Sequence, residues 1–548
     1  MKNKKLILLV IVALLVPQII FAQQQNNFEI SKSVDIYNSL FKELNINYVD
    51  DINPAELNET AIHAMLKKLD PYTVFVSESE IEDLKLLTTG EYGGIGSLIQ
   101  YIDGRVTISE PYENFPAHKA GLLPGDAFVE VNGVDVRSKK SDEVSDLLKG
   151  QPGSSIEVKI ERKGYDKPIS KTLVREKIKI DNIPYHTVFD NEIGYICLSG
   201  FTQRASIELK EIFVQMKKNH NLKGLIIDLR GNGGGLMNEA VDITGLFVDK
   251  GELIVTTKGK NTDRTSIHRT KDNPVDKEIP LVVLVNQSSA SSSEIVAGAL
   301  QDMDRAVIIG NRTFGKGLVQ NILPLNYNTQ LKITIAKYYI PSGRCIQEID
   351  YLHHDTIAKT DTTKISGVFK TRNGRTVYDG KGIAPDVKVE PLDFSIITAN
   401  LYANNLIFKF ANEYARKHEK IDSATVFEID DQTFNEFVDF VKESGFTYTT
   451  ESERMIEKMR KIAKEEDYLE VVEPQLELLE KQLIAHKTQD IIKHRKEIEE
   501  ILMLEIVGRY YYQKGKIIAS LRNDPDLNKA FEIILDQKQY NNILTNNK

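Results

Sequence analysis

The sequence is poor in several residue types that support whole classes of function. It has 548 residues, no tryptophan and two cysteines, Cys197 and Cys345. Each cysteine sits in a strand-like run, so buried free thiols are expected, and not a disulfide framework or a cysteine metal site. Acidic residues outnumber basic ones, for a net charge of −9. Without a basic surplus to neutralise phosphates, no nucleic-acid partner is expected.

The sequence also lacks a long uninterrupted hydrophobic run. The most apolar stretch, Leu6 to Phe21, contains Pro17 and is short for a membrane span. It follows a lysine-rich start and precedes Ala22, a small residue suited to cleavage. Residues 1–22 are therefore predicted to be a signal peptide of an exported protein of the periplasm or cell envelope. An uncleaved membrane anchor is the alternative.

Histidine is absent from the most serine-rich stretch, residues 286–320. This stretch contains Ser291 and Ser292 within a serine cluster, and then Lys316 between two glycines. If a serine here is a nucleophile, Lys316 is the one evident base, and it must be neutral, which burial can achieve by lowering the ammonium pKa. The plainer interpretation is a serine-capped helix and a surface turn.

A glycine-rich turn follows an apolar strand. The strand covers residues 222–230 and ends in Asp228 and Arg230; glycines dominate the next five residues, up to Gly235. Backbone N–H groups in such a strand-to-helix turn can face an anion. Phosphate binding is a competing use, but the turn lacks both the Walker lysine and the dinucleotide G-x-G-x-x-G spacing.

The remaining segments differ in their periodicity. Residues 28–87 are predicted to be helical, with a second helix beginning after Asn58-Glu59-Thr60. Residues 88–175 read as a β-rich module with a hairpin turn at Asn132-Gly133. Residues 176–391 alternate strands and helices, as in an α/β core. Residues 392–548 carry apolar residues at helical spacing and no catalytic motif.

Three motifs together give the sequence a resemblance to the carboxyl-terminal processing peptidases, also called tail-specific proteases. The motifs are SASSSEI at 289–295, FGKGLVQ at 314–320 and DLRGNGGG at 228–235. The resemblance covers about residues 28–391. It implies a crotonase/ClpP-like α/β core with an inserted PDZ β-domain, an N-terminal helical segment and a C-terminal helical appendage. Neither metal nor cofactor is implied.

The resemblance also implies roles for individual residues. Ser291 would be the nucleophile, Lys316 the general base and Gln320 the group that orients the lysine. The backbone amides of Gly235 and Ser292 would form the oxyanion hole. Supporting charged positions are Asp228, Arg230 and Glu294, for which structural support is expected because a buried Asp–Arg pair is as often scaffold as chemistry.

The β-rich module resembles a PDZ domain over its full length. Its glycine-rich segment, Gly93, Gly94, Ile95 and Gly96, would present N–H groups to a terminal carboxylate, and the next strand would accept the peptide by β-addition. The expected substrates are unfolded or C-terminally exposed proteins. Further partners left open are a second copy, bound through residues 28–87, and an adaptor or activating protein.

Two rival functions come from other classes. A non-catalytic scaffold could use the same PDZ module only to bind peptide C-termini. Alternatively, the α/β core could serve acyl-thioester chemistry, since crotonase-like folds also build oxyanion holes from glycine amides. The predicted export argues against the second rival because acyl-CoA is a cytoplasmic substrate. The sequence therefore favours an exported serine endopeptidase.

Overall fold

The computed structural model describes residues 27–260, 265–349, 351, 367–391, 394–487 and 489–545. The expected signal peptide, residues 1–22, lies outside this part. The chain divides into two units with a boundary between Phe75 and Val76. Within the described ranges, no helix is both long enough and apolar enough to cross a bilayer.

The first unit contains two helices, α1 over residues 27–47 and α2 (Pro54–Leu66). The side chain of Asn53 accepts the N–H of Ala55 at 3.1 Å, and Pro54 occupies the first helical position. This Asn-Pro start is a strong helix N-terminus. The prediction that the second helix begins after Asn58-Glu59-Thr60 was therefore wrong.

The other elements follow in chain order. The helices are α3 (Ile81–Thr89), α4 (Pro116–Lys119), α5 (Ser141–Leu148), α6 (Ala205–Asn219), α7 (Met237–Thr244), α8 (Ser292–Asp302), α9 (Ile396–Ala403), α10 (Leu406–Lys417), α11 (Asp431–Glu443), α12 (Glu451–Glu465), α13 (Leu469–Lys487), α14 (Asp490–Lys493), α15 (Arg495–Ser520), α16 (Pro525–Leu535) and α17 (Gln537–Thr545). The strands are β1 (Val74–Val76), β2 (Glu91–Gly94), β3 (Ser97–Ile102), β4 (Arg105–Pro111), β5 (Ala127–Val131), β6 (Val134–Asp135), β7 (Ser155–Glu161), β8 (Ile169–Val174), β9 (Glu176–Lys179), β10 (Tyr185–Val188), β11 (Ile193–Cys197), β12 (Gly224–Asp228), β13 (Leu253–Gly259), β14 (Ser266–Arg269), β15 (Leu281–Val285), β16 (Val307–Gly310), β17 (Leu318–Pro324), β18 (Gln330–Tyr339), β19 (Val368–Lys370), β20 (Thr376–Tyr378) and β21 (Val387–Lys388).

The β-rich module folds around its own apolar core. Its sheet has the order β3-β4-β5-β7-β8, with β6 paired to β5. The turn between β5 and β6 is formed by Asn132 and Gly133, which both have positive φ as a two-residue hairpin requires. Strand β3 lies at the edge of this sheet, where a further strand can be added.

The α/β part of the chain is organised around a second sheet of order β10-β11-β12-β15-β16-β21. Its strands from β11 onward run parallel, and β12 and β15 are buried along their whole length. A parallel sheet must be covered on both faces. Alternate strand residues accordingly belong to two separate apolar clusters, one on each face.

Different parts of the chain cover the two faces. Helices α6, α7 and α8 cover the first face and include Leu209, Ala240 and Ile295. Helices α16 and α17 cover the second face, where Leu527 and Ile533 pack among strand residues. The C-terminal region therefore has two roles: α9, α10, α11 and α15 share a core of their own, while its last two helices complete the core of the α/β sheet.

A separate antiparallel sheet contains the end of the lysine motif, FGKGLVQ. Strand β17 pairs with β18, which also pairs with β13, and β13 pairs with β14. In contrast to β12 and β15, strand β17 is mostly half-buried or exposed. The serine motif thus follows a strand of the parallel sheet, whereas the lysine motif leads into a strand of the antiparallel sheet.

Candidate active site

Ser291 lies in the turn between β15 and α8, immediately before the first residue of the helix. Its backbone has φ 56° and ψ −112°, a combination that a residue with a side chain rarely adopts. Such a conformation costs on the order of 1–3 kcal/mol and persists only where neighbouring groups hold it. The serine is partly accessible, whereas the residues after it in α8 are buried.

Glu294 joins the serine turn to the lysine loop. Its Oε2 accepts the backbone N–H groups of Ser291 and of Lys316, each at 2.9 Å. Its Oε1 accepts the Gly315 N–H at 2.7 Å and the Thr313 hydroxyl at 2.6 Å. One fully buried carboxylate therefore holds the main chains of both motif residues side by side.

Burial and hydrogen bonding shift the pKa of Glu294 in opposite directions. Burial raises the pKa of this carboxyl group to about 7, although the donors of Thr313, Gly315, Lys316 and Ser291 oppose that rise. All four contacts place a donor on a carboxylate oxygen, so the geometry suits the ionised form, which only accepts hydrogen bonds. Protonation would put a proton where one of these donors now lies.

The glycine-rich turn after β12 lies against the serine turn. A Cβ on Gly234 would stand 2.7 Å from the Ala290 carbonyl oxygen and 2.8 Å from the Ser291 Cβ. Gly235 has φ +148°, and its carbonyl accepts the Ser292 hydroxyl at 2.9 Å. The close approach of the two turns thus requires the absence of a side chain at Gly234, whereas a Cβ on Gly235 would stand 2.5 Å from the Phe201 carbonyl oxygen.

Two backbone N–H groups in these turns are available to a ligand. In the part of the chain that the structure describes, the N–H groups of Gly235 and Ser292 donate no hydrogen bond to another residue. Both belong to turns that contact each other beside Ser291. Two unused amides next to a serine are the arrangement that oxyanion stabilisation needs.

Asn232, which the sequence did not single out, fixes the glycine turn. It is fully buried, its Oδ1 accepts the Gly234 N–H at 2.8 Å, and its Nδ2 donates to the Leu198 carbonyl at 2.7 Å. Its carbonyl accepts the Ser293 hydroxyl at 2.9 Å. The only sequence signal for this role was its place inside the DLRGNGGG motif.

The side chains of Asp228 and Arg230 form a charged cluster with the start of the α16 helix. Arg230 contacts Asp228 with its Nε at 3.0 Å and reaches Asp524 and Asp526 with Nη1 at 3.0 and 2.9 Å. Burial alone would lower the pKa of the guanidinium group, but the carboxylates of Asp228 and Asp524 raise it above its ordinary value. The pair therefore anchors α16 to the sheet, and Asp524 could not be identified from the sequence.

Gln320 lies on β17 and faces Thr334 on β18. Its Nε2 donates to the Thr334 hydroxyl at 3.2 Å, across a register shift between Val319 and Gln320. Lys316 is half-buried in the loop that leads into this strand. The lysine thus lies in the loop that enters the strand carrying the glutamine.

The glycine-rich segment of the β-module is more regular than expected. Gly93 and Gly94 are part of β2, which pairs with β9, so the turn into β3 is shorter than the predicted loop. Ile95 is buried, and its carbonyl accepts the Ala117 N–H at 2.8 Å. Gly96 has φ +71°, and its carbonyl accepts the Tyr112 N–H at 2.9 Å.

The two cysteines are free thiols, as expected, but each is only partly buried. Cys197 stands at the carboxyl end of β11 beside Asp228, and burial raises the pKa of its thiol to about 12, with the Asp228 carboxylate adding to the effect. At neutral pH this thiol is protonated and a poor nucleophile.

Comparisons with known proteins place this site in a family. Residues 192–356 match the model of peptidase family S41, residues 107–162 match a PDZ domain, and residues 397–534 match the probable PDZ-protease C-terminal helical domain. A carboxy-terminal-processing protease of Bartonella bacilliformis is 36% identical over 329 residues, which are 60% of this chain and 74% of the relative. The chain belongs to peptidase family S41.

Similar proteins were also found among other curated proteins and among solved structures. The carboxy-terminal processing protease CtpA of Bacillus subtilis is 32% identical over 57% of this chain and 66% of the relative. Among solved structures, the photosystem II D1 C-terminal processing protease is 28% identical, covers 65% of this chain and 92% of its own, and has a TM-score of 0.36.

The protein is therefore a serine-type carboxy-terminal processing protease of the S41 family. This confirms the resemblance stated for the serine, lysine and glycine motifs, and it confirms an S41-type α/β core with an inserted PDZ domain. The rival scaffold function is not favoured, because the relatives are named as proteases. The family match likewise favours peptide cleavage over acyl-thioester chemistry.

Proposed function

We propose that this S41 protease cleaves protein C-terminal tails with Ser291 as nucleophile and Lys316 as general base. The observation that carries the proposal is the Glu294 carboxylate, which accepts the backbone N–H groups of both residues through one oxygen. No histidine lies between residues 286 and 320 to compete for the role of base. Gln320, on the strand that follows the lysine loop, is the proposed orienting group.

The proposed chemistry follows from these roles. The neutral Lys316 amine takes the Ser291 hydroxyl proton while Oγ attacks the scissile carbonyl. The Gly235 and Ser292 amides stabilise the oxyanion, and the proton passes from lysine to the leaving amine. Water then hydrolyses the acyl-enzyme. Two amides without another acceptor beside Ser291 support the oxyanion assignment.

Substrate capture is proposed to occur at the PDZ edge strand. Leu98 and Tyr101 on β3 have large exposed side chains, and β3 ends its sheet. An extended peptide can add to such an edge with its carboxylate at the Gly93–Gly96 segment. Isothermal titration with an apolar C-terminal peptide and with its amidated form checks this, and equal binding of the two would contradict it.

Export and homodimer formation complete the proposal. The basic and apolar start of the sequence supports export, which N-terminal sequencing of the secreted protein would check. Along α1, Val34, Tyr37, Leu40 and Leu44 follow one another at steps of three or four residues and are exposed, so a second copy is the proposed partner of this apolar face. Sedimentation of the full chain and of one lacking residues 27–66 would test the dimer. An adaptor or activating protein is a further proposed partner.

The catalytic assignment is tested with Ser291→Ala and Lys316→Ala. Each variant should lower the cleavage rate of a disordered protein by at least about 10⁴-fold, because nucleophile and base act as a unit. Melting temperature and peptide capture should remain those of the wild type. Mass spectrometry of the products measures the cleavage, and a Ser291→Ala protein that still cuts would remove the nucleophile assignment.

A further inference from the structure

The Glu294 carboxylate contacts two of the four polar main-chain groups of Ser291 and Lys316. It holds the N–H groups of Ser291 and Lys316. The Ser291 carbonyl accepts the backbone N–H groups of Glu294 and Ile295 at 2.9 and 3.0 Å, but these contacts within α8 do not join it to the lysine loop. Ser291 in addition has a strained backbone that its surroundings must maintain. A group that contacts the carbonyls of both Ser291 and Lys316 is therefore a candidate for positioning the dyad.

The hydroxyl of Tyr338 contacts both carbonyls. It lies 3.1 Å from the Ser291 carbonyl oxygen and also hydrogen-bonds the carbonyl oxygen of Lys316. A phenolic hydroxyl has one proton, so the two carbonyls share it. The backbone N–H of the same tyrosine donates to the Gly317 carbonyl at 3.0 Å. Side chain and main chain of Tyr338 thus both hold the lysine loop.

We propose that Tyr338 is a positioning residue that sets the separation between Ser291 and Lys316. Glu294 joins the two residues through their N–H groups, and Tyr338 joins them through their carbonyls. Glu294 and Tyr338 together connect the turn after β15 of the parallel sheet to the loop before β17 of the antiparallel sheet. This inference rests on the proposed function of Ser291 and Lys316, and Tyr338 itself does not touch the substrate.

The packing of the ring allows the hydroxyl to be tested alone. Tyr338 is 1% exposed, and its ring belongs to the apolar cluster on the first face of the sheet. Phenylalanine would keep this packing and remove only the shared proton donor. Because side chains alternate along a strand, the adjacent Tyr339 faces the other way, and the Lys258 ammonium lies 4.3 Å from its ring centroid. Tyr339→Phe is therefore the matched control.

The experiment compares the full-length wild type, Tyr338→Phe and Tyr339→Phe in two measurements. In steady-state cleavage of a disordered protein, Tyr338→Phe should lower kcat by about 10²-fold and leave KM within about twofold, as expected for misplaced reacting groups. In amide hydrogen exchange, peptides containing residues 291–294 and 314–317 should exchange faster. Tyr339→Phe should match the wild type in both measurements.

The possible results separate this inference from the proposed function. If Tyr338→Phe behaves like Tyr339→Phe in both measurements, the inference is overturned. It is also overturned if kcat, KM, peptide capture and melting temperature all change together, because that is the effect of a merely structural residue. If Ser291→Ala retains the wild-type cleavage rate, the proposed function fails, while the exchange data still decide whether Tyr338 holds the two segments.

Discussion

The sheet that leads to Ser291 and the ladder that follows Lys316 differ in how completely they are buried. Every residue of β15 is buried, whereas β17 is mostly half-buried or exposed. A buried parallel sheet is fixed by packing on both faces, while a half-exposed ladder depends more on individual hydrogen bonds. The proposed nucleophile is thus held by the core, and the proposed base by a few side-chain contacts.

Among changes that leave Ser291 and Lys316 in place, the largest effect in this comparison is expected at Glu294, which joins the serine turn to the lysine loop. Glu294→Gln replaces one acceptor oxygen by an NH₂ group, which faces at least one backbone N–H donor in either orientation of the amide, so cleavage should fall by about 10²-fold. Glu239→Gln is the control, because this buried carboxylate accepts the Ser206 N–H at 2.9 Å and touches neither proposed catalytic residue. Steady-state cleavage by both variants measures the difference, and similar rates would contradict the bridging role.

Glu294 also predicts opposite pH trends for stability and activity. Its pKa is about 7 in the folded protein against an ordinary value of 4.5. The folded state therefore binds this proton more tightly than the unfolded state, so the stability contribution is full below about pH 4.5 and is lost as the pH rises through about 7. Activity should rise over the upper part of that range, because the ionised form accepts all four donors.

Melting temperatures of the wild type and Glu294→Gln, measured from about pH 5 to about pH 8, test this linkage. The wild type should lose more stability over that range than the variant, which has no carboxyl group to titrate there. Equal slopes would show that Glu294 does not titrate in this window.

An intermediate effect, on the free energy of unfolding, is expected at the Arg230 cluster beside the buried parallel sheet. Asp524→Asn removes one charge from the Arg230 cluster but keeps an acceptor for the N–H groups of Asp526 and Leu527 at the start of α16. Loss of a charged hydrogen bond should lower the free energy of unfolding by about 2 kcal/mol. Urea denaturation measures the change. Glu532→Gln, in an exposed pair with Lys529, should stay within about 0.5 kcal/mol.

The smallest effect is expected on the exposed ladder. Gln320→Leu removes the hydrogen bond to the Thr334 hydroxyl and should lower kcat by about tenfold, which corresponds to about 1.4 kcal/mol in the barrier. Asn321→Leu changes the exposed neighbour on the opposite side of β17 and should leave kcat unchanged. A Gln320→Leu enzyme with wild-type kcat would show that this glutamine does not orient the base.

Much of the local structure could be predicted, because it depends on nearby residues. The apolar strand predicted within residues 222–230 is present as Gly224–Asp228, and the predicted hairpin turn at Asn132-Gly133 joins two paired strands. Periodicity and turn residues carry this information within a short window.

The contacts between distant segments could not be predicted. Tyr338 meets Ser291, and Arg230 meets Asp524, across large separations in sequence that no local pattern records. The helices α12 and α16 both read as amphipathic, yet α16 packs on the sheet whereas Met455 and Met459 of α12 are exposed. Only the three-dimensional arrangement distinguishes a helix that completes a core from one that does not.

The covering of the second sheet face has a consequence for biosynthesis. Leu527, Ile533 and Tyr540 are translated long after both proposed catalytic residues, so this face stays open while the ribosome still has α16 and α17 to make. Nascent chains with an open apolar face are prone to aggregation and depend on chaperones. The core of the α/β sheet can therefore close only after these helices have been synthesised, which places maturation of the peptidase after translation of α16 and α17.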